Sequence, residues 1–492
     1  MITWGWSGQS HDASLAVFRD RDLVFAAHSE RYSRIKNDKN LNCQLLIEAL
    51  DYGVPDSVCY YERPWLKKTR QLYSKQYTLL GKVSPTTYMS KFIPDTPKST
   101  TVSHHRAHAA AGYYTSGYTD AVILCIDSIG EWDTTSIWTG QGETLTKRWS
   151  QKYPHSIGVW YSAMTQRIGL KPQQHEYILM GMAAIGDPDR LYTAIKQDFF
   201  SSTPDVMDPN TRFKINCHRG CSQWRKDLNT PQDFADIAAA VQRIYEEIFL
   251  GLIRHCASLT NKKNIVIMGG CALNCVANPL AHTYFDGVWI MPNPGDSGSA
   301  IGCVLAHWQQ HISWPGAYLG HDIKGEYPVD QAFRRIHTRR IAAVASGRAE
   351  FGPRSLGNRS IFADPRGADV KEIVNSIKQR EGFRPFAPAI LAEHASEYFD
   401  GPVGPYMQYT ATCKRPAEFP AICHYDDTSR VQTVTEQDNP GLRRLLERWY
   451  ASTGCPMLLN TSLNVKDEPL VNTRADAQRW SALNGVEVCL PE

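Results

Sequence analysis

Two histidines and two aspartates of the sequence have the types and spacing of a metal site. His104 and His108 stand four positions apart in an alanine-rich stretch that favours a helix, so both imidazoles would lie on one face. This spacing alone does not separate metal ligands from histidines that cap or pack a helix. Asp127, after the apolar run Val122–Ile126, and Asp296, in a glycine-rich turn, add two carboxylates. Such a set suits Fe(II), Mn(II) or Zn(II), and the metal would polarise a carbonyl or help to deprotonate a hydroxyl.

Two glycine-rich segments could bring the backbone close to a ligand. The first, Gly269–Asn274, follows a predicted strand over Asn264–Met268, and the second is Gly295–Gly302. Helices that start at such glycines would present N–H groups to phosphate. Neither segment matches a Walker A or dinucleotide motif, so ordinary tight turns remain the alternative.

An arginine- and glycine-rich segment indicates anion binding. Gly347–Ser360 contains three Arg, three Gly and two Ser, and it is followed by the polar runs Lys378–Phe386 and Asn460–Asn464. Guanidinium groups on a glycine-rich frame suit phosphate or another anion, and Ser and Asn side chains would complete the site. We predict phosphate binding here, with a structural ion-pair network as the alternative.

The elements that must position these residues have an α/β pattern. The runs Ile2–Trp6, Leu15–Phe18 and Leu23–Ala27 predict an antiparallel meander that opens a mixed sheet. Apolar residues at helical spacing predict a long helix over Pro231–Leu259. The stretch His311–Val329, rich in Gly, Pro and aromatic residues, predicts a domain junction.

The composition excludes several classes of protein. With 492 residues, 42% hydrophobic and 21% charged, the chain is not disordered, collagenous or a long coiled coil. It contains no apolar run of about 18–20 residues that could cross a membrane. Thirteen cysteines, an odd number, indicate reduced thiols and a cytoplasmic protein. The formal net charge of +3 averages over local basic segments.

Taken together, these segments resemble the O-carbamoyltransferases of nodulation-factor, cephamycin and aminoglycoside type. The matching blocks run from one end of the chain to the other: Gly8–Ser14, Ser29–Arg31, His104–His108, Gly269–Asn274, Asn293–Gly302, Glu350–Pro365, Arg380–Pro388, Asn460–Asn464 and Glu468-Pro469. The run Glu350–Ser360 is the most specific of them. The resemblance implies an α/β protein of two domains. Residues 1–325 would form an actin/sugar-kinase-like (threonylcarbamoyl-transferase-like) domain, which residues 470–492 could complete, and residues 326–469 would form a YrdC-like domain.

The resemblance also implies a division of chemical labour. The YrdC-like domain would make carbamoyl adenylate from carbamoyl phosphate and Mg²⁺-bound ATP. The first domain would transfer the carbamoyl group to an acceptor hydroxyl beside a divalent metal, Fe(II) or Mn(II). The resemblance carries roles over to these residues: metal ligands at His104, His108, Asp127 and Asp296; a general base at His11; an adenylate-binding loop at Gly269, Gly270 and Asn274; and ATP and carbamoyl-phosphate contacts at Arg348, Arg354, Ser355, Arg359, Lys378, Arg384, Asn460 and Ser462. Of the last group, Arg354 and Lys378 are expected to be catalytic together with His11.

The acceptor is predicted from a basic, aromatic segment. Residues 60–98 contain eight basic and two acidic residues, interleaved with Trp65, Tyr73, Tyr77 and Tyr88. Cations for phosphates and rings for splayed bases favour DNA, with an extruded 5-hydroxymethylcytosine as acceptor, as in a virus-type enzyme of the host cytoplasm. A solvated cationic insertion is the alternative interpretation of the segment.

Two other functions stay open. One is O-carbamoylation of a sugar or antibiotic hydroxyl, and the other is a non-catalytic, actin-like nucleotide-binding protein. The sequence predicts no membrane partner, and it leaves a homodimer open.

Overall fold

The computed structural model describes residues 1–76, 84–367 and 369–492. The chain divides into two compact units. The first consists of Met1–Ala26 and Lys39–Trp314, and the second of Ala27–Asp38 and Pro315–Glu492. We call Ala27–Asp38 the strap. The boundary expected after residue 325 therefore lies inside the second unit, which also takes the strap from the N-terminal part of the chain.

The strands are numbered in chain order. Those of the first unit are β1 (Ile2–Ser7), β2 (Ser14–Arg19), β3 (Asp22–His28, which enters the strap), β4 (Ser57–Tyr60), β5 (Thr100–Thr101), β6 (Asp120–Gly130), β7 (Asp133–Gln141), β8 (Thr144–Lys152), β9 (Phe200–Ser202), β10 (Arg212–Phe213), β11 (Asn264–Met268) and β12 (Gly287–Trp289). Those of the second are β13 (Tyr318–Ile323), β14 (Ile341–Ala345), β15 (Gly347–Glu350), β16 (Arg359–Ala363), β17 (Ala387–Leu391), β18 (Phe399–Asp400), β19 (Ala411–Cys413), β20 (Thr428–Ser429), β21 (Gln432–Val434), β22 (Met457–Ser462) and β23 (Val488–Cys489).

The α-helices are numbered in the same way. The strap contains α1 (Glu30–Ser33). The first unit contains α2 (Cys43–Leu50), α3 (Pro64–Tyr73), α4 (Pro85–Met89), α5 (His104–Thr115), α6 (Ile157–Arg167), α7 (Glu176–Met182), α8 (Pro188–Phe199), α9 (Pro231–Ser258) and α10 (Ser299–Trp308). The second contains α11 (Val329–Arg339), α12 (Asp369–Lys378), α13 (Ala395–Tyr398), α14 (Pro440–Thr453) and α15 (Arg474–Asn484).

The first unit repeats one sheet topology. Its two five-stranded sheets have the orders β3-β2-β1-β4-β5 and β8-β7-β6-β11-β12, so the two sheets use their strands in the same sequence. In the first sheet, β1 is antiparallel to β2 and parallel to β4. In the second sheet, β6 is likewise antiparallel to β7 and parallel to β11. The predicted meander is confirmed, and the duplicated mixed sheet is that of the expected actin/sugar-kinase-like α/β fold.

Small residues let the helices of this unit approach the sheets and one another. A Cβ placed on Gly302 of α10 would lie 2.0 Å from the carbonyl oxygen of Ala107 in α5, so only glycine permits this crossing. The long helix α9 begins at a capping box, in which Thr230 and Asp233 satisfy each other's backbone N–H groups. Its buried face carries the apolar residues that predicted the helix.

The second unit is also α/β. Its main sheet has the order β21-β17-β22-β16-β14-β23, with antiparallel pairs from β17 to β14 and parallel strands at both edges. The edge strand β23 pairs with β14, and Trp480 of α15 is buried in the same cluster as Ala343 of β14. The tail 470–492 therefore belongs to this unit and does not complete the first one, because its strand closes the edge of the second unit's sheet. Within the described parts of the chain, no helix is long and apolar enough to cross a membrane.

Candidate functional site

Four side chains of the first unit converge on one point. The Nε2 atoms of His104 and His108 lie 3.0 Å apart. Oδ1 of Asp296 lies 3.2 Å from the first nitrogen and 3.3 Å from the second. Oδ2 of Asp127 lies 3.1 Å and 3.9 Å from the same two atoms. One ligand atom from each residue falls within 4.8 Å of the other three, so the structure brings together all four residues expected to bind metal.

Three elements deliver these side chains. The two histidines occupy the first and second turns of α5, on one face as their spacing predicts. Asp127 lies in β6, which runs on to Gly130 instead of ending at the aspartate. Asp296 opens a short 3₁₀ turn that leads into α10. The close crossing of α5 and α10 therefore sets the separation between the histidines and Asp296.

Neighbouring groups orient the four side chains. His108 Nδ1 lies 3.2 Å from the Ser299 hydroxyl, which leaves Nε2 to face the cluster. The Asp127 carboxylate accepts a 3.2 Å hydrogen bond from the Gly270 N–H through its other oxygen. Nδ1 of His104 lies 3.7 Å from the buried Glu62 carboxylate. Such outer partners fix the orientation and raise the basicity of metal-binding side chains.

The electrostatics of the cluster favour a bound cation. Burial raises the pKa of Asp296, but the charge of His104 and hydrogen bonds from both histidines outweigh it and hold that pKa well below its usual value. Burial lowers the pKa of His104, yet Asp296 and Asp127 raise it well above the usual value. The two carboxylates and the two imidazoles thus favour a positive charge between them. Their lone pairs fit a divalent transition metal.

His11 lies in the turn between β1 and β2, outside the four-residue cluster. Its Nε2 lies 3.3 Å from the carbonyl oxygen of Gln173. The Ser14 hydroxyl, three residues on, donates a 2.6 Å hydrogen bond to the carbonyl oxygen of Ser297, which follows Asp296. The His11 turn is therefore joined to the turn that carries Asp296.

The glycine-rich segment after β11 differs from its expected strand–turn–helix form. Gly269 has φ +91° and its Cβ would lie 2.1 Å from the Ile126 carbonyl oxygen, so the turn requires glycine. Only a 3₁₀ turn, Gly270–Leu273, follows it. The Asn274 side chain exchanges hydrogen bonds of 3.0 and 3.1 Å with the Gln242 amide. The Asn274 side chain is thus used in a hydrogen-bonded pair with Gln242. Gly270 lies against the cluster through its bond to Asp127.

Sequence reasoning missed two acidic residues near the cluster. Glu62 follows β4 and accepts a 2.7 Å hydrogen bond from Lys67 Nζ. Burial raises the pKa of Glu62, but Lys67 and His104 lower it to about 2. Burial raises the pKa of Glu131, in the β6–β7 turn, to about 7, although its carboxylate accepts a 2.6 Å bond from the Arg63 N–H. The signal available for Glu62 was a carboxylate two residues after a short apolar strand.

Arg359, expected at the anion site, is fully buried in the framework of the second unit. Its guanidinium donates to five backbone carbonyl oxygens, those of His321, Ser346, Gly347, Asn358 and Asn472. Glu350, which the sequence did not single out, accepts from the N–H groups of Leu356, Asn358 and Arg359. These bonds hold the arginine-rich segment in shape and favour the structural alternative for Arg359.

Lys378 and Ser462 lie together, as expected, and Asn464 joins them. Lys378 Nζ is 2.8 Å from the Ser462 hydroxyl and 2.7 Å from the Asn464 carbonyl oxygen. No carboxylate pairs with this ammonium among the salt bridges of the described residues. Burial, with the charges of Arg380 and Arg384, lowers the pKa of Lys378 well below its usual value. A buried lysine that has only neutral acceptors is typical of an anion-binding or catalytic position.

The remaining residues expected to bind ATP or carbamoyl phosphate are half-buried or buried. Arg354 and Arg348 are both half-buried, and Arg348 donates to the carbonyl oxygens of Leu319 and Gly320. Arg384 forms a 3.3 Å ion pair with Glu381. Ser355 and Asn460 are buried and linked, since the Asn460 amide donates to the Ser355 carbonyl oxygen at 3.3 Å.

The basic, aromatic segment is only partly available to a nucleic acid. Trp65 and Tyr73 are exposed. Tyr88 is buried and stacks on Trp6, with ring centroids 5.0 Å apart. Of the cations, Arg70 is 5% exposed and Lys67 is bound to Glu62. Tyr77 and Lys82 lie outside the described residues.

The comparisons with known proteins identify the family. A model of the carbamoyltransferase N-terminus matches residues 66–305, and a model of the carbamoyltransferase C-terminus matches residues 333–490. The nodulation protein NolNO of Sinorhizobium fredii is 30% identical over 95% of this chain and 76% of its own length. The 3'-hydroxymethylcephem-O-carbamoyltransferase of Amycolatopsis lactamdurans is 28% identical over 97% of this chain and 95% of its own. An uncharacterized Synechocystis protein, sll1178, is 32% identical over 96% and 93%.

Some solved structures share a distant likeness with the chain. Full-length HypF in its phosphate- and nucleotide-bound form matches 62% of this chain and 46% of its own, at 13% identity and a TM-score of 0.36. The family rests instead on the two matched regions and on relatives that align along nearly the whole chain. The chain therefore belongs to the carbamoyltransferase family and is a carbamoyl-transfer enzyme.

Proposed function

We propose that the protein is an ATP-dependent O-carbamoyltransferase that acts on the hydroxyl of a small molecule. The observation that carries the proposal is the convergence of His104, His108, Asp127 and Asp296 in a chain of this family. The acceptor class rests on the relatives, since one that aligns along 95% of its length is named for a hydroxymethylcephem acceptor. The same relative makes a non-catalytic nucleotide-binding protein the weaker alternative.

The second unit would make the activated donor. Hydrolysis of carbamoyl phosphate releases phosphate and gives carbamate. A carbamate oxygen then bonds to the α-phosphorus of Mg²⁺-bound ATP, and the bond to the departing pyrophosphate breaks. Arg354, Lys378 and Ser462 would hold the oxyanions, because a cation in a poorly solvated site stabilises developing negative charge strongly. This use of Lys378 explains a buried ammonium without a carboxylate partner.

The first unit would transfer the carbamoyl group. His104, His108, Asp127 and Asp296 would hold a divalent metal, Fe(II) or Mn(II), which when bound supplies Lewis-acid polarisation of the carbamoyl carbonyl. His11 would remove the proton of the acceptor hydroxyl. A carbonyl oxygen only accepts, so in the contact with Gln173 the Nε2 atom of His11 would carry the proton and Nδ1 would act as the base. The acceptor oxygen then bonds to the carbamoyl carbon and AMP leaves.

Two variants test the division of labour. His108→Ala should still form carbamoyl adenylate, with pyrophosphate release, and should fail to carbamoylate any acceptor. Arg354→Ala should lose adenylate formation. The exposed His337 provides a control substitution, His337→Ala, that should leave both steps unchanged. If both variants lost the same step, the assignment of one step to each unit would be wrong.

A screen by mass spectrometry identifies the acceptor. The purified protein, carbamoyl phosphate, Mg²⁺-ATP and Fe(II) or Mn(II) would be incubated with sugar, antibiotic and nucleic-acid acceptors, and products would be searched for the mass of one added carbamoyl group. Transfer to a small-molecule hydroxyl supports the proposal. Transfer only to DNA containing 5-hydroxymethylcytosine would overturn it in favour of the DNA acceptor predicted from the sequence.

A further inference from the structure

The strap carries an arginine whose bonding differs from that of the other buried arginine described above. Arg31, in α1, is 2% exposed. Its Nη2 donates a 2.7 Å hydrogen bond to the Gly352 carbonyl oxygen. Neither Nε nor Nη1 has a hydrogen-bond partner among the residues that the structure describes. Those two nitrogens carry three N–H donors, whereas every nitrogen of Arg359 donates to a backbone carbonyl.

The carboxylate of the adjacent Glu30 does not satisfy Arg31. Oε1 of Glu30 lies 3.7 Å from Arg31 Nε, which is beyond hydrogen-bond distance. Glu30 is also engaged elsewhere, since its carboxylate accepts 2.9 Å bonds from Lys36 Nζ and from the Asn37 N–H. A buried cation with unused donors is costly, and proteins keep such groups where a ligand supplies the acceptors.

The strap holds Arg31 firmly in the second unit. Arg34 has φ +60° and closes α1 through its N–H bond to the Glu30 carbonyl oxygen. Its guanidinium donates to the carbonyl oxygens of Pro469, at 2.7 Å, and Leu470. On the other side, Arg31 is bonded to Gly352, which lies two residues from Arg354. The guanidinium is therefore fixed beside the arginine-rich segment before any ligand binds.

The local charge is consistent with an anion. Burial lowers the pKa of Arg359 to about 10; Glu350 opposes that shift, and the positive charge of Arg31 adds to it. Burial also lowers the pKa of Arg34; Asp476 opposes that shift, and the positive charge of Arg31 adds to it. The positive charge of Arg31 thus acts on the fully buried Arg359 and on the half-buried Arg34, and an oxyanion would offset this repulsion.

We propose that Arg31 is an oxyanion-binding residue of the second unit, and that its Nε and Nη1 hold phosphoryl oxygens of carbamoyl phosphate or of ATP. This inference rests on the proposed function and adds to it a residue from the strap. The sequence pattern Ser29-Glu30-Arg31 thereby gains a chemical role.

Binding measurements test the inference. Titration calorimetry would measure the Kd of carbamoyl phosphate alone, inorganic phosphate alone and Mg²⁺-ATP alone for the full-length protein and for Arg31→Ala. The variant should bind at least one phosphate compound about 10- to 100-fold more weakly, the loss expected for hydrogen bonds to a charged group. If the variant binds carbamoyl phosphate and inorganic phosphate more weakly, Arg31 contacts the carbamoyl donor. If it binds Mg²⁺-ATP more weakly, Arg31 contacts the nucleotide. Wild-type Kd values for all three would overturn the proposal.

A stability measurement separates a binding role from a structural one. Without ligand, the thermal unfolding midpoint of Arg31→Ala should equal or exceed that of the wild type, because the variant removes a buried charge with unused donors. If Arg31→Ala does not fold, Arg31→Gln, which retains a donor for Gly352, is measured against the same criterion. Arg444→Ala, at an exposed arginine of the same unit, is the control and should bind all three compounds normally.

The two proposals fail in different ways. If the wild type forms no carbamoyl adenylate, the proposed function is wrong. If the wild type forms it and the Arg31 variants bind and react like the wild type, only the role of Arg31 is wrong.

Discussion

Replacing Gly302 with alanine should weaken metal binding although it removes no ligand. The new Cβ would lie 2.0 Å from the Ala107 carbonyl oxygen and 2.9 Å from the Ala111 Cβ. Helices α5 and α10 must then separate by about 1 Å, because a packed interior cannot absorb the overlap. Overpacking of this kind costs about 1–3 kcal/mol. The same movement separates His108, in α5, from Asp296, just before α10, which now lie 3.3 Å apart.

The expected result is a loss of metal affinity of at least about 10-fold, as when the groups that orient a metal ligand are removed. Metal content after dialysis, measured by inductively coupled plasma mass spectrometry, and competition with a chelator give the affinity. Thermal unfolding of the metal-free protein gives the packing cost. Gly295→Ala is the matched control: it adds a methyl group next to Asp296, but the nearest atom is 3.9 Å away. Wild-type affinity and unfolding midpoint for Gly302→Ala would refute the reasoning.

Three further substitutions test the electrostatic and hydrogen-bonding assignments. Arg359→Ala leaves five backbone carbonyls without their donor and should lower the free energy of unfolding by about 5 kcal/mol, measured by urea denaturation; an unchanged midpoint would contradict its framework role. Glu131 has its pKa raised from 4.5 to about 7, so its contribution to stability is complete below pH 4.5 and is lost as the pH rises through 7. The free energy of unfolding of Glu131→Gln should therefore fall less between pH 5 and 8 than that of the wild type. A variant whose free energy of unfolding falls in parallel with the wild type would contradict this assignment. Burial lowers the pKa of Lys378, so the wild type should gain stability as the pH rises toward the value of a free lysine, about 10.4. Lys378→Met should lose that gain in the same assay, and should also lose adenylate formation.

The sequence predicts the metal cluster better than the anion site, for a physical reason. His104 and His108 share a helical face by local geometry alone, and Asp127 directly follows the apolar run Val122–Ile126 within β6. The helix–strand pattern likewise predicts β1, β11 and α9, because each has an unbroken hydrophobic period. These features depend on a few neighbouring residues and require no knowledge of distant contacts.

The anion site could not be predicted as well because burial depends on long-range packing. Arg354 and Arg359 occur in one run of polar and glycine residues, yet the first is half-buried and the second is fully buried. Arg31 is more than 300 positions from Gly352, so no local pattern relates them. The tail also needed a long-range pairing, that of β23 with β14, before it could be assigned to a unit.

The strap also constrains how the protein can be synthesised and divided. The ribosome releases Ala27–Asp38 early, but the segments it packs against, around Gly352 and Pro469, emerge only after the whole of Lys39–Trp314. The second unit cannot complete its folding until both parts of the chain are free, so it should be the last to form during translation. A fragment that begins at Pro315 would lack the strap, and supplying Ala27–Asp38 as a separate peptide would be needed to restore it.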